Sequence, residues 1–395
     1  MSRQGTEPKP PWSAVPREIK EQVATVLGSP VARAERVYGG YAPSATFRLR
    51  LANGKRAFFK ASYPAPKGSG VRWVVDVEDR NYRRLASLIA PWAPRFLGSF
   101  TRLGWHVLLL EDLGPRTMPP WTPAKARRAT RSYAEFHKST RGKALPRGLS
   151  RTQHHDFAGF WRELAKTGEL GRVAALARRR EDDAEEWIDV VLPVMRRLED
   201  RLSKTKPPFA LLHFDTRSDN SRLHGDLLRI FDWPFASAGP AEFDVTAYAQ
   251  GVTADGGPEP ERVLAWYEEV LPLRADAIDS SLAGISGYFA DRSWKPEVPG
   301  LPRVRSFQRR QLKVCLAWAA RRFGLPEPRW LRAVADWCRS GPICTSCAGV
   351  LRRRSSAARS SWCASETPSF SARPVPSRPP SLIAGSRGSG TAGNS

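Results

Sequence analysis

Cysteine is scarce in this chain and is absent from its first 300 residues. The five cysteines all lie between Cys315 and Cys363, and an odd, clustered set of this kind excludes a disulfide framework. Cys344 and Cys347 have C-x-x-C spacing, but neither a second pair nor suitably spaced histidines accompany them. We therefore interpret the pair as a chance occurrence, not as a zinc or redox site.

Long apolar runs are also missing. No stretch approaches the ~18 residues that a membrane span needs, and the polar, proline-rich start does not resemble a signal sequence. We expect no membrane partner and a cytoplasmic location. Hydrophobic residues still make up 41% of the 395 residues, with 14 Trp and 17 Phe, which is ample for one large or two smaller packed cores.

Negative charge is in short supply, with 39 acidic against 63 basic side chains and a net charge of +24. Such a balance suits a nucleic-acid-binding protein, because clustered cations neutralise phosphates. The arginines are spread along the chain, however, and residues 341–395 alone contribute +6. The remainder has no RNP, helix-turn-helix or zinc-finger pattern, so nucleic acid is not the partner we expect.

The first third of the chain has the pattern of an antiparallel sheet. After a short amphipathic helix from Pro16 to Leu27, the sequence indicates strands at 35–38, 45–51, 56–61, 96–100 and 105–110. Asn53-Gly54 is a strong hairpin-turn signal between the second and third of these. The sequence therefore predicts a five-stranded sheet.

Two features of this sheet could contact a nucleotide. The Gly39-Gly40 bend would let backbone amides approach a phosphate, and Lys60 on the following hairpin strand would face the nucleotide. Each has an ordinary alternative. Glycine is common in hairpin turns, and Lys60 could be an exposed strand lysine.

A helix predicted at 73–88 carries Glu78 near its start, where the carboxylate could pair with Lys60. Asp79 competes for that role, and a solvated helix carboxylate is the other interpretation. After the last strand, the segment from Glu111 to Gly114 has the pattern of a hinge. Backbone groups near Glu111 and Leu113 would there bond the edge of an adenine.

From Thr122 onward the apolar residues recur at helical intervals. Helices are predicted at 123–139, 157–169, 172–180, 184–202, 247–252, 260–271, 279–289, 304–323 and 330–338. After about Gly341 this periodicity stops, and Ser, Arg, Pro, Gly and Ala dominate to the end. We interpret residues 341–395 as a low-complexity, disordered tail.

The most informative stretch runs from Leu211 to Asn220 and continues to Asp232. It reads as a loop between short strands that carries a carboxylate at Asp215, an amide at Asn220 and a second carboxylate at Asp232. Phosphoryl transfer requires an acid that accepts the proton of the acceptor hydroxyl, together with oxygen ligands that hold Mg²⁺ against nucleotide phosphates. These three residues supply those groups.

Taken together, His213-x-Asp215-x-x-x-x-Asn220, Asp232, Lys60 and Glu78 resemble the aminoglycoside phosphotransferase and choline kinase-like branch of the protein-kinase-like fold. The resemblance implies a two-lobed α+β protein over roughly residues 30 to 340. A small antiparallel-sheet lobe at 1–112 would bind the nucleotide, and a mainly helical lobe at 113–340 would hold the catalytic loop and the acceptor site.

The resemblance also implies a role for each residue. Asp215 matches the catalytic base and His213 the residue that braces the loop. Asn220 and Asp232 match the Mg²⁺ ligands. Lys60 matches the lysine that contacts phosphate and Glu78 the helix carboxylate that orients it. Asp244, in the segment that follows, matches a loop-stabilising residue more than a substrate contact.

One nearby motif imitates the catalytic loop. His224-Gly225-Asp226 has the His-Gly-Asp form that many relatives show, but Phe231, not Asn, stands five residues after Asp226. It separates two apolar segments, so we interpret it as a hairpin turn. The loop itself departs from the family at Phe214, where glycine is common in relatives.

The resemblance implies a phosphotransferase that uses ATP and Mg²⁺ and acts on a hydroxyl of a small molecule. Aminoglycoside-like antibiotics, amino alcohols, sugars and other metabolites all remain open as acceptors. The alternative is a catalytically inactive kinase-like scaffold that binds a nucleotide or a partner. Oligomeric state cannot be read from this sequence.

Overall fold

The computed structural model describes residues 9–38, 44–64 and 75–335. Gly39, Gly40 and the segment 341–395 lie outside these ranges. The proposed phosphate-facing bend and the disordered tail therefore stay predictions.

The strands and helices of the described residues follow the chain in two groups. The strands are β1 (Val31–Arg36), β2 (Ala45–Leu51), β3 (Arg56–Ser62), β4 (Phe96–Arg102), β5 (Trp105–Leu110), β6 (Ala210–Leu212), β7 (Ser221–His224), β8 (Leu227–Ile230) and β9 (Ser237–Gly239). The α-helices are α1 (Arg17–Leu27), α2 (Asp76–Arg84), α3 (Ala86–Ile89), α4 (Pro123–Thr140), α5 (Phe160–Lys166), α6 (Leu170–Ala174), α7 (Glu181–Leu202), α8 (Ala241–Ala254), α9 (Pro260–Glu268), α10 (Ala275–Ser293) and α11 (Val304–Phe323). Short 3-10 helices lie at Trp12–Ala14, Gln153–Phe157, Ala175–Arg180, Ser218–Asn220 and Arg329–Ala333.

The N-terminal lobe is a five-stranded antiparallel sheet in the order β1-β2-β3-β5-β4. The β2–β3 connection is the tight turn predicted at Asn53-Gly54, where Gly54 has a φ of 80°. A positive φ of this kind costs glycine little because it has no Cβ.

Strand alternation gives the sheet two different faces. On β3, Ala57 and Phe59 point into an apolar core that also contains Ile19 of α1, and both are fully buried. Phe58 points to the opposite face, where it packs against the core of the helical lobe. Lys60 is two residues further along the strand, so period-two alternation directs it to the same face as Phe58. The strand pattern thus places Lys60 between the lobes.

The C-terminal lobe is mainly helical. Its core is rich in aromatic rings, and the largest fully buried ones are Tyr133, Trp161, Trp233, Tyr267, Trp318 and Trp330. Each buried aromatic side chain contributes roughly 1.5 to 3 kcal/mol by leaving water. A small sheet lobe joined to a mainly helical lobe confirms the predicted α+β, two-lobed fold. No helix of the described ranges combines the length and the apolar character needed to cross a membrane.

Helix ends in this lobe follow local sequence signals. α4 begins at Pro123, and the hydroxyl of Thr122 accepts a hydrogen bond from the Lys125 N–H at 3.2 Å. Proline suits the first helical turn because no intrahelical partner exists there for an N–H group. α11 ends at Phe323, and the capping residue Gly324 that follows has a left-handed φ of 64°. Local signals thus mark the start of α4 and the end of α11.

Short strands frame the loop that carries the candidate residues. β6 pairs with β9, and β7 pairs with β8 as a hairpin in which His224 lies opposite Leu227. Gly225 and Asp226 therefore form the two-residue turn, as interpreted from the sequence. The loop from 213 to 220 lies between β6 and β7, and Asp232 follows β8 closely.

Candidate active site

Lys60 is where three distant segments of the chain meet. Its Nζ lies 2.6 Å from Oε2 of Glu78 on α2 and 2.7 Å from Oδ1 of Asp232 after β8. The lysine side chain is only 8% exposed. Burial lowers the pKa of Lys60, but the charges and hydrogen bonds of the two carboxylates outweigh it and leave the pKa raised. The lysine is therefore a firmly protonated ammonium.

Glu78, not Asp79, is the carboxylate that pairs with Lys60. Asp79 is turned toward β4 and β5, where it contacts Ser99 at 2.7 Å and His106 at 3.1 Å. It also pairs with Arg83 one helical turn later, at 3.0 Å. Asp79 thus fixes α2 to the sheet and leaves the contact with Lys60 to its neighbour.

Asp215 is held by two neighbours on its own loop. The amide Nδ2 of Asn220 donates to the Asp215 backbone oxygen at 2.9 Å and to its Oδ2 at 3.0 Å. Nε of Arg217 lies 3.3 Å from Oδ1. Burial raises the pKa of Asp215 to about 7, helped by the nearby charges of Asp232 and Asp219 and opposed by Arg217 and Asn220. A carboxyl group with this pKa can take up and release a proton near neutral pH.

His213 connects the loop to the segment before Asp232. Its Nε2 lies 3.0 Å from the carbonyl oxygen of Phe231, which can only accept, so Nε2 carries the hydrogen. Nδ1 then accepts from the Asp215 backbone N–H at 3.3 Å. Burial lowers the pKa of His213 and keeps the ring neutral. The neutral imidazole thus ties both carboxylate-bearing segments together.

Asp244 of α8 holds the backbone of the loop through hydrogen bonds. Its oxygens accept the backbone N–H groups of His213 at 2.7 Å and Phe214 at 2.9 Å. The hydroxyl of Tyr133 donates to it at 2.8 Å. Asp244 is fully buried, so this carboxylate acts as a structural acceptor in the manner expected from the sequence.

Phe214 has a φ of 72°, in the left-handed region that a side chain with a Cβ rarely adopts. Its ring stacks on Phe243 with centroids 4.9 Å apart and meets Phe157 edge-on at 5.5 Å. Strain of this kind costs on the order of 1 to 3 kcal/mol. The aromatic contacts and the hydrogen bonds that the His213 and Phe214 N–H groups donate to Asp244 hold the backbone in this conformation.

The two candidate metal ligands have oxygen atoms available. Asn220 uses its amide nitrogen for Asp215, and Asp232 uses Oδ1 for Lys60. Across the described ranges, neither the amide oxygen of Asn220 nor Oδ2 of Asp232 makes a hydrogen bond. Oxygen donors of this type fit Mg²⁺, which is usually held by one or two carboxylates together with substrate phosphates. No cluster of three or more His, Cys, Asp or Glu is found in the part of the chain that the structure describes, and such a site does not need one.

The hinge residues are partly engaged. The backbone N–H of Glu111 donates to Arg95 at 2.9 Å, and its carboxylate pairs with Arg229 at 2.9 Å. The carbonyl oxygen of Leu113 accepts from Nε2 of His224 at 3.2 Å. The carbonyl of Glu111 and the N–H of Leu113 have no hydrogen-bond partner among the described residues. One acceptor and one donor therefore remain at the hinge.

Two contributors to the site were missed from the sequence. Arg217 was given no role from the sequence, although it lies 3.3 Å from both Asp215 and Asp219. A cation two residues after a candidate base is the signal that could have found it. Tyr133 contacts Thr216 at 2.7 Å from a helix 83 residues earlier, and no local pattern indicates this contact.

The amino-acid sequence matches the model of a known protein family. The model of the phosphotransferase enzyme family matches residues 36–278. No curated protein sequence matches the chain significantly.

Similar solved structures include a spectinomycin phosphotransferase, APH(9)-Ia, in complex with ADP and spectinomycin. It is 12% identical and aligns over 76% of this chain and 98% of its own, with a TM-score of 0.53. A putative fructosamine-3-kinase from Thermobifida fusca is 21% identical over 80% of this chain and 98% of its own, with a TM-score of 0.43. The choline kinase LicA from Streptococcus pneumoniae is 14% identical over 81% and 99%, with a TM-score of 0.44.

At these identities the first of the three structures supports the fold, and the family itself follows from the sequence match over most of the two lobes. The chain belongs to the phosphotransferase enzyme family, which confirms the family and the enzyme class that the sequence indicated.

Proposed function

We propose that this protein transfers the γ-phosphoryl group of ATP, with Mg²⁺, to a hydroxyl of a small molecule, with Asp215 as the base. The observation that carries the proposal is the meeting of Lys60, Glu78 and Asp232 beside the loop of Asp215 and Asn220. Residues from both lobes converge there, as phosphoryl transfer between two bound substrates requires.

The nucleotide is proposed to lie between the lobes, with its phosphates at Lys60. Glu78 holds this ammonium at 2.6 Å, so the charge is already oriented before a nucleotide binds. At the hinge, the Glu111 carbonyl would accept from the N6 amine of adenine, and the Leu113 N–H would donate to N1. On the same edge, guanine has an acceptor where adenine has a donor, and a donor where adenine has an acceptor. The hinge groups therefore favour ATP over GTP.

Asn220 and Asp232 are the residues that would hold Mg²⁺, through the amide oxygen and Oδ2. The ion supplies charge stabilisation for the phosphate oxygens when it is bound. Asp232 contacts Lys60 through its other oxygen, which couples the two sources of positive charge. Burial pushes the pKa of Asp232 upward, but Lys60 outweighs it and lowers the pKa, so the carboxylate stays ionised.

The chemical step balances without a further reactant. Asp215 accepts the proton of the acceptor hydroxyl, and the hydroxyl oxygen forms a bond to the γ-phosphorus. The bond between that phosphorus and the bridging oxygen of ADP breaks, and ADP leaves with the bonding electrons. Asn220 and Arg217 orient the Asp215 carboxylate for this role.

The proposal is tested by measuring ADP release from Mg·ATP with a panel of hydroxylated acceptors. Asp215→Asn should reduce the acceptor-stimulated rate by roughly 10²- to 10⁴-fold. Asp189→Asn, at an exposed position of α7, is the matched control and should keep the parent rate. A parent protein that turns over no acceptor, and whose nucleotide binding is indifferent to Mg²⁺, would instead be the inactive scaffold.

A further inference from the structure

The acceptor must bring a hydroxyl to Asp215, so the residues around Asp215 border the acceptor site. Arg217 contacts Asp215 at 3.3 Å and lies over the Phe307 ring of α11 at 5.6 Å. Tyr288 of α10 packs against Phe157, which contacts Phe214 beside Asp215, with the Tyr288 and Phe157 ring centroids 5.0 Å apart. Arg292 lies over the same Tyr288 ring at 5.9 Å. The end of α10 and the start of α11 therefore border the position of the acceptor.

This border is rich in arginine. Its half-buried cations are Arg217, Arg292, Arg305, Arg309 and Arg310. Carboxylates are present as well, but each faces a cation across a short distance. Asp219 lies 3.3 Å from Arg217, Asp255 lies 4.0 Å from Arg310, and Asp291 lies 3.2 Å from Arg292 and 3.1 Å from Lys295. Each of these three carboxylates therefore lies within 4.0 Å of a cation.

Arg305 has no carboxylate partner among the described residues. Its Nε donates to the Pro296 carbonyl at 2.8 Å, and its Nη1 donates to the Arg292 carbonyl at 3.1 Å and to Oε1 of Gln308 at 2.9 Å. All three acceptors are neutral, and Nη2 makes no hydrogen bond within the described ranges. The guanidinium is thus held in place without being neutralised.

The electrostatic environment of Arg305 agrees with this geometry. Burial lowers the pKa of Arg305, and the positive charges of Arg292 and Arg309 add to the effect, with Tyr288 and Asp291 opposing it. A fixed, half-buried guanidinium beside other cations is stabilised by an oxyanion, which it can bind through two parallel N–H groups. An ammonium group at the same place would add to the repulsion.

We propose that the acceptor is an anionic hydroxyl compound whose carboxylate or phosphate binds Arg305 and Arg292 while its hydroxyl reaches Asp215. This inference rests on the proposed phosphotransferase activity and narrows its substrate class. A polycationic acceptor would need unpaired carboxylates, and this border offers a surplus of arginine instead.

The test compares matched acceptors in the ADP-release assay with Mg·ATP. Glucuronate, glucose and glucosamine carry an anionic, a neutral and a cationic group on similar rings, and glucose 6-phosphate separates a phosphate from a carboxylate preference. Glycerate, glycerol and serinol repeat the comparison on a shorter skeleton. We expect kcat/KM for at least one anionic member to exceed that of its neutral and cationic counterparts by about tenfold or more.

Variants locate the preference on the protein. Arg305→Gln should lower kcat/KM for the anionic acceptor by roughly 10- to 100-fold while the KM for ATP stays within about twofold. Arg305→Lys keeps the charge and should recover part of the loss, which also guards against a folding defect in the glutamine variant. Arg332→Gln, whose side chain is 81% exposed, is the control and should match the parent.

The outcomes separate the two proposals. Turnover confined to neutral or cationic acceptors would overturn the anionic class and leave the phosphotransferase proposal standing. An anionic preference that survives unchanged in Arg305→Gln would overturn the assignment to this arginine. Turnover of no acceptor by a protein that binds Mg·ATP would count against both proposals.

Discussion

Replacing Asp215 with asparagine should make the protein more stable at alkaline pH although it removes the proposed base. The carboxyl group has an ordinary pKa of 3.8 and a folded pKa of about 7, which burial raises. The folded state therefore binds this proton more tightly than the unfolded state does. The stability associated with the bound proton is present below pH 3.8 and is lost as the pH rises toward about 7.

The structure sets the size of this effect. A pKa difference between 3.8 and about 7 corresponds to about 4 kcal/mol, at ~1.36 kcal/mol per pKa unit. The side chain is 27% exposed, so solvent screening reduces the effect, and we take about half, or ~2 kcal/mol. Asparagine cannot ionise and avoids this cost. The stability gain of Asp215→Asn should be larger at pH 8 than at pH 4.5 by roughly 1 to 2 kcal/mol.

Denaturant unfolding followed by tryptophan fluorescence measures this difference at the two pH values. Comparing variant with parent at each pH cancels every other titrating group. Asp189→Asn on the exposed surface of α7 should show a difference that is independent of pH and within about 0.5 kcal/mol. An Asp215→Asn difference that is the same at both pH values would refute the argument that burial of this carboxylate destabilises the fold.

Three further predictions concern neighbouring parts of the site and the chain. Lys60→Met leaves the buried Glu78 and the partly buried Asp232, 2.6 and 2.7 Å from the lost ammonium, without their cation, and should destabilise the protein by about 3 to 5 kcal/mol in denaturant unfolding. Adding Glu78→Gln to Lys60→Met should return part of that stability. Purely additive effects of the two substitutions would contradict an energetic coupling between Lys60 and Glu78. Phe214→Gly relieves the strain of a φ of 72° but removes a buried ring, so a net loss of about 1 to 3 kcal/mol is expected, and a gain would show that strain dominates. We place residues 341–395 outside the catalytic lobes, so truncation after residue 340 should leave ADP release and the unfolding midpoint unchanged, and loss of folding would reject that boundary.

Much of the fold was predictable because its signals are local. The five-stranded sheet follows from alternating apolar residues and from the turn at Asn53-Gly54. α11 coincides with the predicted helix at 304–323, since its apolar residues keep helical spacing throughout. The helices predicted at 157–169 and 172–180 were only partly right. The first is shortened to α5 at Phe160–Lys166. The second is divided between α6 and the 3-10 helix Ala175–Arg180, and the left-handed φ of 54° at Arg178, which breaks it, has no signal in the sequence.

In the candidate site, too, some features follow from local sequence and others depend on packing. Alternation along β3 was enough to orient Lys60, and the spacing from His213 to Asp232 was enough to place a candidate base and two candidate oxygen ligands on one loop and strand end. The competition between Glu78 and Asp79 could not be resolved from sequence, because adjacent helix residues differ in direction by about 100° and only the packing of α2 decides which one faces the lysine.

The sequence by itself determined the chemistry of this protein, since carboxylate, amide and lysine groups at that spacing belong to phosphoryl transfer and short-range patterns carry them. Only the tertiary structure decided the electrostatics. The pKa of Asp215 depends on burial by segments far away in the chain, and the arginine-rich border depends on how α10 and α11 pack beside the loop. Charge and solvent exposure act through space, so a linear pattern does not contain them.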